Sequence, residues 1–211
     1  MTNDVFPNRE LYRFGYCAVF ARGVTPAELL ARAGGEDLHP VALTRTEAAR
    51  IEALGEDIDE DDVPDVDFEL LQGSGVLASD GPVLRAGEHG GWSFAIEPEG
   101  SYLAADDVVK STSRETVALS LRDSESGSCW ISYAEDGEVL SSFDPLFPDS
   151  DYGTRPEVLE RLTGHVAAIN NGERHDAYAN AVRAIRQRLQ CTVPPEADER
   201  RLLTIKIADG Y

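Results

Sequence analysis

The sequence predicts an α+β fold: a mostly antiparallel sheet with helices packed on one face, and an acidic surface loop. Three observations carry that reading. Short apolar strands separated by turn residues run from Gly75 to Phe143, helical periodicity is gathered on either side of them, and a last apolar strand follows at Leu202–Ile207. The chain reads as one domain over 1–211. Residues 14–150 supply a strand-helix opening plus the sheet, 154–190 a helical segment, and 202–207 the final strand.

Phe14 to Ala21 (FGYCAVFA) is apolar and aromatic throughout, as a buried strand is. A helix then opens at Thr25 as N-cap, with Pro26 in the first helical position, Glu28 completing a capping box and Gly34-Gly35 ending it. Thr44 and Glu47 form a second box for a short helix that stops near Gly55. From Glu56 to Glu69 there are nine acids in fourteen residues, and no base lies between Arg50 and Arg85. Repulsion this dense predicts a solvated, mobile loop.

Candidate strands follow at Val76–Ala78, Val83–Ala86, Trp92–Glu97, Thr116–Leu121, Cys129–Ala134 and Val139–Phe143. The turns between them read as Ser79-Asp80-Gly81-Pro82, Gly90-Gly91, Pro98-Glu99-Gly100 and Glu135-Asp136-Gly137. Asp106 to Lys110 fits one helical turn. Thr154-Arg155-Pro156-Glu157 is a third box, opening a helix with Val158, Leu159, Leu162, Val166 and Ile169 at helical spacing, Gly164 in its middle and Asn171-Gly172 as its stop. A longer helix from Arg174 to Gln190 carries the stripe Tyr178, Ala181, Val182, Ile185 and Leu189.

Several of these signatures occur together in FARGVTPAELLARAGG, WSFAIEPEG, YAEDGEVLSSFDP and GTRPEVLERL. The chain, from about Phe14 to Ile207, resembles an uncharacterised actinobacterial family of unknown function, common in filamentous species. The acidic insert Glu56–Glu69 is longer and more charged than that family's pattern. The resemblance implies one continuous domain and brings no reaction, substrate or catalytic residue with it.

Charge narrows the function. The 39 acids and 19 bases give a net charge of −20, which repels nucleic acid phosphates and anionic membrane surfaces. The imbalance is −21 in residues 1–154 and +1 in 155–211, so the near-neutral end is expected to dock on the acidic body. The three cysteines, Cys17, Cys129 and Cys191, are too few and too scattered for a disulfide framework. Without a signal-like or membrane-length apolar run, the expected location is the cytoplasm.

No motif supplies chemistry. Asp57-x-Asp59-x-Asp61 starts like a calcium loop, but Asp62 stands where glycine is needed and Phe68 where a bidentate Glu belongs. His39, His89, His165 and His175 lack metal-ligand spacing, and a Cys17–His89 pair is expected to be a core thiol and a turn histidine. Gly87-Glu88-His89-Gly90-Gly91 reads as a hairpin turn, because a strand and not a helix follows it. The reading is therefore no catalytic residue, no cofactor and no metal.

What remains is recognition. The sequence points to a non-catalytic protein-interaction or regulatory, immunity-like module, with Asp59, Asp61 and Asp62 on the acidic surface that meets a basic protein partner. Arg183 and Arg186, three apart on one helix face, are a candidate contact for an acidic partner or anion, although a solvated face is their ordinary role. The alternative is a small-ligand receptor or enzyme. Its pocket would lie around Trp92 and Glu97, with Arg114 or Arg122 as anion anchors.

Overall fold

The computed structural model describes residues 12–34, 39–77, 81–124, 127–172 and 176–207. Its spine is β1 (Gly15–Arg22), buried through Ala21. Tyr16, Ala18 and Phe20 enter an apolar cluster on one face, while Cys17, Val19 and Ala21 enter a second cluster on the other. A strand covered on both faces needs apolar residues at every position, which is why this segment shows no polar alternation.

β1 lies between β4 (Trp92–Pro98) and β5 (Val117–Ser124), antiparallel to both. The sheet continues through β6 (Cys129–Glu135) and β7 (Glu138–Asp144) to β8 (Phe147–Tyr152) at one edge. On the other side it continues through β3 (Val83–His89) and β9 (Leu202–Lys206) to β2 (Val41–Leu43). The full order is β2-β9-β3-β4-β1-β5-β6-β7-β8, so the last described strand in the chain sits between two much earlier ones. Gly90-Gly91 and Asp136-Gly137 close two hairpins with left-handed φ values of 62°, 80°, 52° and 81°. These values suit two-residue turns whose twist matches that of the strands.

The α+β class and the antiparallel sheet are as the sequence predicts, but the helices cover both faces. α1 (Pro26–Gly34), a 3-10 turn at Tyr102–Ala104 and α4 (Asp106–Thr112) pack on the Cys17 face through Leu29, Leu30, Leu103 and Val108. α5 (Glu157–Thr163) and α7 (Ala177–Leu189) pack on the Phe20 face through Leu159, Ala181, Val182 and Ile185. Central strands that are apolar on both sides leave no other solution. A third cluster joins β2, α2 (Arg45–Leu54) and α3 (Phe68–Gly73) around Leu43, Ile51 and Leu71.

Other departures are local. Val76 is a buried turn residue of the third cluster and not part of a strand; Ala78, Ser79 and Asp80 lie outside the described residues. Thr44 and Glu47 make both halves of their capping box. Thr25 makes only one, because the Glu28 carboxylate turns to Arg32 at 2.6 Å. The box expected at Thr154 does not form, and α5 starts after Pro156 without a side-chain cap. Gly164, at φ 65°, ends α5 in the left-handed conformation, so the single helix expected there is two, α5 and α6 (His165–Asn170).

The acidic segment is folded into turns, where the sequence suggested an open loop. Ile58 and Val63 are buried in the third cluster on either side of a 3-10 turn at Glu60–Asp62. Two apolar anchors five residues apart outweigh the local repulsion. No described helix is long and apolar enough to cross a membrane.

Candidate functional site

The place expected to hold a pocket is filled. Trp92 is 3% exposed, and its indole N–H donates to the Leu189 carbonyl at 3.0 Å, tying β4 to the end of α7. Glu97 is equally buried and accepts from the backbone N–H groups of Tyr102 (3.1 Å) and Leu103 (2.9 Å). Burial raises the Glu97 pKa, while those backbone hydrogen bonds and nearby Arg122 act in the opposite direction. Its carboxylate thus holds the 3-10 turn at 102–104, a structural task.

The other predicted residues are dispersed. Asp59 and Asp61 are exposed and Asp62 is half-buried. Asp59 accepts from the Asp61 N–H at 3.0 Å, and Asp62 accepts from the Asp59 N–H at 3.1 Å, so two of these carboxylates cap their own turn. Arg183 donates to Asn180 Oδ1 at 2.6 Å within α7, beside exposed Arg186. Arg201 belongs elsewhere: it forms a two-armed pair with Glu47 at 2.7 and 3.0 Å and donates to the Asp65 carbonyl at 2.9 Å. The near-neutral end thereby grips the acidic body, a contact that the Arg155–Glu135 pair repeats at 3.4 Å.

Cys17 and His89 are far apart in the sheet. Cys17 is opposite Glu97 and His89 is opposite Trp92, five residues along the same strand. Burial pushes the Cys17 thiol well up, as it does Cys191, to about 12. Among the described residues no three His, Cys, Asp or Glu side chains converge as metal ligands. His175 lies outside the described residues.

Two constellations escaped sequence reasoning. His165, fully buried and stacked on Phe143 at 3.8 Å, has Nε2 3.2 Å from Asp151 Oδ2 and Nδ1 3.0 Å from Glu160 Oε2. It clasps β8 to α5 and α6. The only hint was an apolar helix pattern with a histidine at its centre. The second is a cleft of about 750 Å³ on the Cys17 face, between α1 and α4. Glu28, Arg32, Asp107, Arg114, Glu115 and Asp136 bring charge to its walls. Arg114, one of the two anion anchors proposed from sequence, is therefore in a cleft, but one without Trp92 or Glu97.

Fold and site together define an antiparallel α+β protein with an acidic exterior and a polar, charged cleft away from its aromatic core. The family model described as a family of unknown function (DUF6461) matches residues 6–190, and the chain belongs to that family. No curated protein and no solved structure matches the chain.

Proposed function

We propose that the chain, as a single α+β domain in the cytoplasm, is a non-catalytic recognition module that binds a basic protein partner through its acidic surface and so neutralises or regulates it. The observation that carries this reading is the build of the acidic segment. Asp57, Asp59, Glu60, Asp61, Asp65, Asp67 and Glu69 are all exposed. Their backbone is already fixed by buried Ile58 and Val63, by the Asp59–Asp62 turn, by Asp67 capping α3, and by Arg50 and Arg201 donating to the carbonyls of Asp62 and Asp65. A negative surface ordered in advance spends little conformational entropy on binding. Placed on a body of net charge −20, it also steers a basic partner in from a distance.

The test compares capture of partners from host cells at low salt by the wild-type chain and by a variant carrying D59N, E60Q, D61N and D65N. A captured protein should be basic, bind with an on-rate that falls about tenfold between roughly 20 and 200 mM salt, and be lost by the variant. Failure to recover any partner at low salt, or equal recovery by the variant, would remove the reading.

A further inference from the structure

The geometry points to the cleft between α1 and α4 as a binding site for a guanidinium or primary ammonium group, separate from the acidic segment at 57–69. Its volume, about 750 Å³, falls within the range of small-ligand sites. Its floor is set by hydrogen bonds between the ends of two helices. Ser111 Oγ donates to the Arg32 carbonyl and Tyr102 OH to the Ala33 carbonyl, both at 2.6 Å, at the C-terminus of α1. Arg32 in turn donates to the carbonyls of Thr112, the last residue of α4, and of Arg114 just beyond it. The negative ends of both helices therefore meet at the cleft.

The side chains add to that sign. Arg32 is consumed by its two carbonyls and by Glu28 at 2.6 Å, so this pair contributes little net charge. Three exposed carboxylates remain on separate walls: Asp107 on α4, Glu115 after it, and Asp136 at the tip of the β6–β7 hairpin. None forms an ion pair among the described residues. Against them stands one guanidinium, Arg114, likewise unpaired among the described residues. The helix-end carbonyls are already met by Ser111, Tyr102 and Arg32, so it is the surplus of three carboxylates over one cation in a concave space that favours a ligand cation. Arg114 then acts as an internal competitor for the same carboxylates.

The full-length protein is titrated at constant ionic strength with agmatine, and separately with an acetylated, amidated Gly-Arg-Gly peptide, while backbone amide NMR signals are followed. Saturable shifts at Tyr102, Ser111 and Gly137 are expected. The double variant E115Q/D136N should weaken binding at least tenfold, with D107N as an independent check, whereas R114Q should tighten it about threefold. Tighter binding of agmatine identifies a free small cation as the ligand source; tighter binding of the peptide identifies a partner's arginine. Non-saturating shifts, or affinities unchanged by all these variants, would overturn the proposal. The D59N/D61N variant keeps the test separate from the partner-binding reading: it should leave cleft binding unchanged, and shifts spread along 57–69 that vanish in it would also overturn the cleft.

Discussion

A methyl group placed on Gly100 would occupy the space that the Glu97 carboxylate fills. An ideal Cβ there lies 1.6 Å from Glu97 Oε1 and 2.2 Å from Cδ, so Gly100→Ala must drive the carboxylate off the turn it holds. The Tyr102 and Leu103 N–H groups would then lose a charged acceptor. Hydrogen bonds to charged groups contribute about 1.5–3 kcal/mol each, so the two together set a loss of about 3–6 kcal/mol. Part of that is offset, because a carboxylate whose pKa is raised by burial regains hydration when it swings out. The expected net destabilisation is about 2–4 kcal/mol, or a fall in melting temperature on the order of 10 °C for a chain of this size. Urea denaturation of Gly100→Ala, Glu97→Ala and the double variant is the assay. If the methyl acts through the carboxylate, the double variant should cost little more than Glu97→Ala alone, a coupling of about 2 kcal/mol or more. Additive losses would refute the reasoning.

Burial raises the pKa of Glu97 and Asp144, so the folded chain holds these protons to higher pH than the unfolded chain does. Between the ordinary carboxylate range and the raised values the native state binds more protons, and stability falls as pH rises through that window. Melting temperature should therefore climb as the pH is lowered toward the ordinary carboxylate range, with a shallower slope in Glu97→Gln. Arg85, 3% exposed, donates from Nη2 to the carbonyls of Leu43 (3.4 Å), Ala197 (3.2 Å) and Arg200 (3.2 Å). Arg85→Met strands those acceptors and should cost about 2–4 kcal/mol in urea denaturation; a loss below about 1 kcal/mol would show that they find other donors. His165→Leu leaves Asp151 and Glu160 facing an apolar side chain and should cost a similar ~2–4 kcal/mol, with His165→Gln restoring part of it in the same measurement.

Legibility in the sequence followed the range of the force that decides each feature. Thr44–Glu47, Gly90-Gly91 and Asp136-Gly137 were read correctly because capping and hairpin turns are settled within four residues. The stripe Tyr178, Ala181, Val182, Ile185 and Leu189 packs on the core as its period predicts. β2 is three residues long with an exposed middle, and β8 contains Pro148; their pairing depends on partners distant in the chain or on edge position, and neither announces itself locally. Thr154 failed as a cap although its motif is intact, because the N–H groups of Thr154 and Arg155 are engaged by the Val139 and Leu140 carbonyls. Among the site residues, Glu97 ends an apolar strand, where a carboxylate taken out of water needs a partner such as an arginine. It finds backbone amides within six residues instead of an arginine. The cleft was invisible for the opposite reason: its charged walls come from α1, α4 and a hairpin tip more than a hundred residues from the first wall, Glu28 to Asp136.

The place of β9 has a bearing on how the chain is born. Residues 202–206 leave the ribosome after every other described strand, yet they are the rung between β2 and β3. During synthesis, at roughly 5–20 residues per second, the flank of β3 offers unmet amides and carbonyls to any extended peptide nearby, and β2 lacks the strand it pairs with. Closure thus waits until residues 202–206 have emerged, and a nascent chain stalled before Leu202 would be sticky at that seam however well its remaining strands had assembled.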